Sequence, residues 1–106
     1  MSKVIKIETA KKLTAEAFEQ NKKAYLDTAI KIINKQIRHN ASEGYNGVCF
    51  TFNDINKAVS DELNRQFPLD KYKDCIKKAI LAYSMEEYTV TLGVCKFGHL
   101  FTIYWD

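Results

Sequence analysis

The C-terminal segment from Glu87 to Asp106 constrains the fold of this chain more than any other part of it. Apolar or aromatic side chains occupy alternate positions on both sides of Gly98, namely Tyr88, Val90, Leu92 and Val94 before it and Phe101, Ile103 and Trp105 after it. A period of two places such side chains on one face of a β-strand. We therefore predict a β-hairpin with one apolar face, which the rest of the chain has to cover.

The segment from Thr14 to Gly44 has a helical pattern. Its apolar residues recur every three or four positions and so share one helix face: Phe18, Tyr25 or Leu26, Ala29 or Ile30, Ile33 and Ile37. We predict Thr14 as the N-cap and Gly44 as the stop. A helix of roughly 25 residues is about 40 Å long, so one end should project or pack on a partner. Residues 1–13 form a lead-in of uncertain structure, in which Val4–Ile7 fits either a strand or the approach to the helix.

A short strand and two further helices follow. The run Val48–Phe52 alternates and predicts a strand. Asn53 or Asp54 can cap a second helix, which ends before Pro68 because the residue ahead of proline avoids helical geometry. Asp70 can cap a third helix. Apolar stripes support both helices, with Ile55, Ala58, Val59, Leu63 and Phe67 in the second and Tyr72, Cys75 or Ile76, Ala79 or Ile80 and Tyr83 in the third.

The predicted element order is α-β-α-α-β-β, within a single α+β domain spanning residues 1–106. We expect a three-stranded antiparallel sheet with the helices packed on one face. The covered face should carry Val48, Phe50, Phe52, Tyr88, Val90, Leu92, Val94, Phe101, Ile103 and Trp105. The other face, which is semi-polar, should carry Cys49, Thr51, Thr89, Thr91, Thr102 and Tyr104.

Charge is unevenly distributed along the chain. The 106 residues carry 16 Lys or Arg and 13 Asp or Glu, whereas residues 1–40 carry nine of the basic and four of the acidic residues. A basic surplus suits a polyanionic partner, although ordinary soluble proteins carry similar surfaces. Nucleic acid is therefore one possible partner. No run approaches the roughly 20 apolar residues of a membrane span, so we expect no membrane partner.

The cysteines and histidines do not predict chemistry. Cys49, Cys75 and Cys95 are odd in number and lack C-x-x-C spacing, which is typical of free thiols in a reducing compartment and indicates the cytoplasm. Cys95 and His99 could be read as a zinc pair, but a buried thiol is the simpler interpretation. The sequence contains no recognised catalytic motif. We expect no cofactor, no metal site and no enzymatic activity.

Two groups of residues could form a binding surface. Lys31, Lys35 and Arg38 are three and four residues apart, so they form one basic stripe on the first helix. This stripe is either a solvated surface or a contact for phosphate. Three aromatic residues lie outside the predicted core: Tyr45 in a loop, Phe97 at the hairpin tip and Tyr104 on the uncovered face. Exposed tyrosine and phenylalanine favour a binding surface.

Several features spread along the chain carry a family resemblance. They are L-T-A-E-A at Leu13–Ala17, the pair Ile33 and Ile37, a strand led by Gly47, and a Y-x-V strand followed by a terminal I-x-W. In this order they resemble small accessory proteins encoded by tailed bacteriophages and prophages. The resemblance implies a phage protein in the host bacterial cytosol, of the kind that blocks host defences, modulates host enzymes or assists the virion.

The element order also resembles that of a winged-helix domain. In that comparison Phe52–Phe67 and Leu69–Ser84 take the places of the helix-turn-helix pair, and the turn at Lys96 is the tip of the wing. The resemblance implies nucleic-acid contacts by Lys71, Lys73, Lys77, Lys78 and Lys96. Neighbouring acids, namely Asp70, Asp74, Glu86 and Glu87, offset those lysines.

Three hypotheses of function follow. The first is a non-catalytic phage-type protein that binds a host macromolecule, with a host protein as the expected partner. The second is a winged-helix-like protein that binds DNA or RNA. The third is an oligomeric sponge for a nucleotide second messenger, in which the basic stripe meets the phosphates. A homo-oligomer is compatible with all three.

Overall fold

The computed structural model describes residues 3–105; Met1, Ser2 and Asp106, which belong to the predicted lead-in and to the end of the predicted hairpin, lie outside the described residues. The described residues form α1 (Ile7–Ser42), β1 (Gly47–Thr51), α2 (Phe52–Leu63), α3 (Leu69–Met85), β2 (Thr89–Cys95) and β3 (Gly98–Tyr104). The predicted order α-β-α-α-β-β and the α+β class are confirmed.

α1 begins at Ile7, about two turns before the predicted cap at Thr14. The N-cap is Lys6, whose side chain makes no capping hydrogen bond. Thr14 lies inside the helix and donates its hydroxyl to the carbonyl of Ala10 at 2.9 Å. Because a threonine hydroxyl can bond to the preceding turn as well as cap a helix, Thr14 was the wrong marker of the helix start. The segment Val4–Ile7 leads into the helix and does not join the sheet.

The turn between α1 and β1 is fastened by Asn40. The backbone carbonyl of Asn40 accepts a hydrogen bond from the backbone amide of Tyr45 at 2.9 Å. The side-chain amide of Asn40 donates to the backbone carbonyl of Gly47 at 3.0 Å. Gly44 adopts a φ of 89°, a conformation that glycine enters without steric cost. The predicted stop at Gly44 is therefore within two residues of the observed end of the helix at Ser42.

β1 passes directly into α2 at Thr51. The Thr51 hydroxyl accepts from the amide of Asp54 at 3.0 Å, so Thr51 is the N-cap in place of the predicted Asn53 or Asp54. Phe52 consequently begins the helix and is not the last residue of the strand. The prediction failed here because the alternation of apolar residues continues into the first helical residue, Phe52, whose side chain is also buried.

The connection between the second and third helices is longer than predicted, because the second helix does not run on to Pro68 and Phe67 lies in the turn. α2 ends at Leu63, and Asn64 takes the left-handed conformation with φ 54° and ψ 44°. Pro68 occupies the N-cap of α3, which begins at Leu69, so Asp70 lies in the first turn and is not the cap. A carboxylate there still stabilises the positive end of the helix dipole.

The sheet is antiparallel with the strand order β1-β3-β2. Val48 and Val90 flank Ile103, and Phe50 and Leu92 flank Phe101. These side chains face the helices, and we call this the covered face. The open face carries the intervening residues, including Cys49, Thr91 and Thr102 from one row and Tyr104 and Thr89 from another.

One core joins the helices to the covered face. Its buried side chains are Tyr25, Ala29, Ile33, Val48, Phe52, Ile55, Val59, Phe67, Tyr72, Cys75, Ile76, Ala79, Ile80, Tyr83, Phe101 and Ile103. Most residues of the predicted covered face are therefore buried or half-buried. Leu92 and Val94 are exceptions, with 64% and 74% of their surface exposed. They lie on the predicted face, but the helical layer ends before it reaches the outer half of β2.

Candidate functional site

The predicted basic stripe is exposed but partly neutralised. Lys31, Lys35 and Arg38 all lie on the surface of α1. The Lys31 ammonium lies 3.0 Å from the Glu62 carboxylate of α2. That hydrogen bond, with the charges of Lys31 and Lys35, holds the pKa of Glu62 below its usual value. A phosphate approaching the stripe would have to compete with this carboxylate, which weakens the stripe as an anion site.

The three predicted exposed aromatics do not form one surface. Tyr45 and Phe97 are 67% and 63% exposed, and Tyr104 is 41% exposed. Tyr104 is opposite Gly47 in the sheet register, and a Cβ atom on Gly47 would approach the Tyr104 ring to 2.9 Å, so this ring lies across the start of β1. Phe97 is at the other end of β3, about 20 Å away along a seven-residue strand. The aromatic residues are thus divided between two ends of the sheet.

The lysines of α3 lie on two flanks of the helix. Each residue rotates by 100°, so Lys71 and Lys78 share the flank that faces α1, and Lys73 and Lys77 share the opposite one. The outward face between these flanks carries Asp70 and Asp74.

Around Lys71 and Lys78, α1 adds further lysines. Lys71 lines one groove beside α1, and Lys78 lines another with Lys22 and Lys23. Lys96 is at the hairpin tip, with its ammonium 5.1 Å from the centre of the Phe97 ring. The predicted lysines therefore form no single basic face on α3, and the denser positive charge lies at the α1–α3 junction.

The thiols and histidines lie apart. Cys95 is opposite Gly98 on the open face, whereas His99 is opposite Val94 and contacts the Phe52 ring on the covered face. Cys75 is buried, and burial raises the pKa of its thiol despite the nearby charges of Lys22 and Lys78. Within residues 3–105, no three His, Cys, Asp or Glu side chains are grouped as metal ligands.

The structure adds a surface that the sequence analysis did not single out. All residues of α1 from 7 to 17 are exposed, and we call this segment the α1 overhang. It extends the helix about 16 Å beyond its packed part. Ile7, Thr14 and Phe18 lie within 20° of the direction of buried Tyr25 at 100° per residue. The core-facing stripe of α1 therefore continues along the overhang, where nothing in the described chain covers it.

A groove of about 630 Å³ lies where the overhang leaves the body of the protein. It is lined by Ala10, Lys11, Thr14, Ala15 and Phe18 of α1 and by Lys71 of α3, and we call it the α1 groove. The Phe18 ring is fixed at its inner end by an edge contact with Tyr72, 5.5 Å between ring centres. Lys22 places its ammonium 4.5 Å from the Phe18 ring. The floor is mostly apolar, and its rim is positively charged.

Comparison with known proteins gives no match, whether with family models, with curated proteins or with solved structures. No helix in the described part of the chain combines the length and apolarity needed to cross a membrane.

The signal for the α1 groove was present in the sequence. The three-and-four spacing that runs through Phe18 continues backward through Thr14 to Ile7. Because Thr14 was predicted to be the N-cap, the part of the helix before it, and its share of the stripe, was not predicted. Lys71, by contrast, reaches the groove only because α3 packs on α1, and this packing cannot be predicted from a local sequence pattern.

Proposed function

We propose that this protein acts without catalysis, by binding a macromolecular partner in the α1 groove. The observation that carries the proposal is the uncovered continuation of the core stripe along the α1 overhang. A short helical segment gains most of its stability from packing an amphipathic face, so eleven exposed residues with an apolar stripe favour a partner on that stripe. Recognition of a helix in an apolar groove works in this way.

The chemistry of the rim selects the partner. Lys11 and Lys71 line the groove, whereas Lys22, beyond its inner end, is paired with the Glu19 carboxylate at 3.3 Å. The stems of such lysines pack against apolar surface while their ammonium groups meet acidic groups. We therefore infer that the partner presents an amphipathic helix with acidic flanks. A host protein is the expected source, and a phage origin and a role against host defences stay predictions of the sequence resemblance.

The absence of catalysis is part of the proposal. A thiol nucleophile needs a base within hydrogen-bond reach. The raised pKa of Cys75 keeps that thiol protonated, and Cys95 and His99 occupy opposite faces of the sheet. These arrangements support a binding role.

Affinity capture from bacterial lysate, followed by calorimetry with the captured protein, tests the proposal. Ala15→Glu places a carboxylate on the groove floor, and Ala24→Glu makes the same change at an exposed position of α1 outside the groove. We expect the unchanged protein and Ala24→Glu to bind the partner. Ala15→Glu should bind at least about tenfold more weakly, because the new carboxylate competes with the partner's acidic groups for the lysines and loses water when the partner's apolar face covers it. If all three capture the same proteins with equal affinity, or capture none, the proposed site is wrong.

A second candidate, nucleic-acid binding, is favoured by the strand order. The β1-β3-β2 pairing, with α2 and α3 joined by a short turn, is the arrangement expected of the winged-helix order described above. Lys71, Lys73, Lys77 and Lys78 of α3 and Lys96 of the hairpin would then contact phosphates. Asp70 and Asp74 on the outward face of α3 make this candidate weaker than the first.

Fluorescence polarisation with a labelled DNA duplex tests the second candidate. Neutralising about four phosphates would weaken binding by about 100-fold between 50 and 200 mM salt. Replacing both Lys73 and Lys77 by glutamine should lower both the affinity and this salt dependence, while Lys57→Gln on α2 should leave them unchanged. Lack of binding at the lower salt concentration would eliminate the candidate.

A further inference from the structure

The outer edge of β2 has no partner strand in the described chain. β2 is at the end of the order β1-β3-β2, and it joins β3 through the two-residue turn Lys96–Phe97. A two-residue hairpin closes on a hydrogen-bonded pair, here Cys95 and Gly98, and an antiparallel ladder exchanges bonds at alternate residues. The backbone amide and carbonyl groups of Val90, Leu92 and Val94 therefore point away from β3. They form a row that can accept another strand.

This edge lacks the features that normally protect an edge strand. Thr89–Cys95 contains no charged residue and no proline. Natural edges are usually short, charged, bulged or covered, because an open edge pairs with other chains. Leu92 and Val94 also lie beyond the helical layer on the covered face, with 64% and 74% of their surface exposed. Both the backbone edge and its apolar side chains are thus available to a partner.

We propose that two copies of this chain pair through their β2 strands. The pairing is antiparallel about a two-fold axis at Leu92, and it extends the sheet to six strands, β1-β3-β2 followed by the same three in reverse. In this register Val90 is opposite the partner subunit's Val94, and Leu92 is opposite the partner subunit's Leu92. The outward amides meet at these pairs, which allows six backbone hydrogen bonds.

The side chains of β2 are complementary to themselves in this register. All pairs formed by Val90, Leu92 and Val94 lie on the covered face, because opposite residues of an antiparallel pair point the same way. They join into one apolar row across the axis. On the open face Thr91 meets the partner subunit's Gly93, which leaves room for the threonine side chain.

The flanking charges select an antiparallel second copy. Glu86 and Glu87 precede β2, and Lys96 follows it. Antiparallel pairing about Leu92 places Lys96 opposite the partner subunit's Tyr88 and beside its Glu87, and symmetry repeats this contact. Parallel pairing would place like charges together. An unrelated strand would need the same apolar spacing and the reverse charge order, both of which this chain already supplies.

The proposed dimer goes beyond the binding function assigned to the α1 groove. The groove lies beside Lys71 in the first turn of α3, whereas β2 follows the other end of that helix. α3 is about 25 Å long, so the groove and the start of β2 lie near its opposite ends. The two surfaces can therefore be occupied at the same time.

Sedimentation equilibrium of the full chain tests the dimer. We expect a mass of twice 12.2 kDa for the unchanged protein. Leu92→Lys places two ammonium groups at the axis and removes two leucines from the interface, which should weaken the dimer by about 100-fold or more. Leu81→Lys makes the same change at a 59% exposed position of α3 and should leave the mass unchanged. Since both leucines are exposed, each variant should keep the fold, which circular dichroism checks.

A charge exchange tests the register. Lys96→Glu puts a carboxylate beside the partner subunit's Glu87 and should weaken the dimer by about tenfold. Adding Glu87→Lys to Lys96→Glu should restore it, because the exchanged pair is again attractive. The proposal is wrong if the protein keeps the mass of a single chain at protein concentrations up to about 1 mM. This holds even if β2 then pairs with a strand of another protein. A dimer that Leu92→Lys leaves intact, or one that the double exchange does not restore, also overturns it.

Discussion

Tyr25 is the residue on which the packing of the helices depends. Its side chain is fully buried, and its ring lies 4.9 Å from the Tyr72 ring and 5.3 Å from the Phe67 ring, measured between centres. Its hydroxyl donates to the Asn56 side-chain oxygen at 2.8 Å, and the Asn56 amide donates to the Phe67 carbonyl at 2.8 Å. One polar chain thus ties α1, α2 and the turn before α3. Burying these groups is tolerable because each has a partner.

Stability should fall at alkaline pH. Burial raises the pKa of Tyr25, and burial together with Tyr88 raises the pKa of Tyr83 to about 12. Below about pH 10 both hydroxyls are protonated in the folded and unfolded states, so they add no pH dependence. As pH rises further, the unfolded chain loses these protons while the folded chain keeps them. The free energy of unfolding should then fall by up to about 1.4 kcal/mol per pH unit for each hydroxyl.

Urea unfolding at about pH 9 and about pH 11 measures this dependence. Tyr83→Phe should remove the contribution of one hydroxyl from the alkaline slope, and Tyr45→Phe, at a 67% exposed position, is the matched control for the loss of a hydroxyl. An alkaline slope that Tyr83→Phe does not alter would contradict the assignment.

At the scale of elements, α2 depends on its cap. Thr51 ends β1 and caps α2 with no intervening loop, so one side chain fixes where the strand stops and the helix starts. Thr51→Ala leaves the amide of Asp54 without its 3.0 Å acceptor and should lower the free energy of unfolding by about 1 kcal/mol. Thr51→Ser keeps the hydroxyl and should cost less. Equal losses in the two variants, measured by denaturant unfolding, would show that the methyl group of Thr51 matters and the cap does not.

The first part of the α1 overhang, residues 7–13, should be dispensable for folding. Residues 3–13 are all exposed, so a chain that begins at Thr14 loses no buried contact. We expect its free energy of unfolding to change by no more than about 0.5 kcal/mol, while partner capture through the α1 groove is lost. A loss of stability above about 2 kcal/mol in thermal or denaturant unfolding would mean that the overhang packs on its own chain.

The whole molecule is elongated but has one continuous core. Its extents are 64 × 27 × 24 Å, and the 36-residue α1 accounts for most of the long axis, at about 54 Å. Buried residues of all three helices contact the covered face of the sheet in a single cluster. Loss of the sheet would therefore expose buried residues of all three helices.

Because the core is continuous, unfolding should be a single transition. Trp105 packs against the core from the end of the sheet, so its fluorescence reports on the sheet, while far-ultraviolet circular dichroism reports mainly on the helices. We expect both signals to change at the same denaturant concentration, measured at one protein concentration. Separate midpoints would mean that helices and sheet unfold independently.

Much of this architecture could be predicted from the sequence because local periodicity determines it. Alternation in Val48–Phe52 and on both sides of Gly98 indicates strands and assigns their faces, and three-and-four spacing indicates the helices. Residues that these patterns place outside the core, such as Lys31 and Phe97, are exposed as predicted. Element ends were less accurate, since Thr14 and Asp70 have cap chemistry that they use in other ways.

The sequence by itself determined the element order, the antiparallel sheet and which side chains of each strand share a face, because these follow from backbone geometry over a few residues. Only the tertiary structure decided how far the helical layer extends. It leaves Leu92 and Val94 uncovered, divides the lysines of α3 between two flanks and joins Lys71 to Phe18 in the α1 groove. Those features depend on how the helices and strands pack against one another and on where each ends, and residues far apart in the sequence determine both.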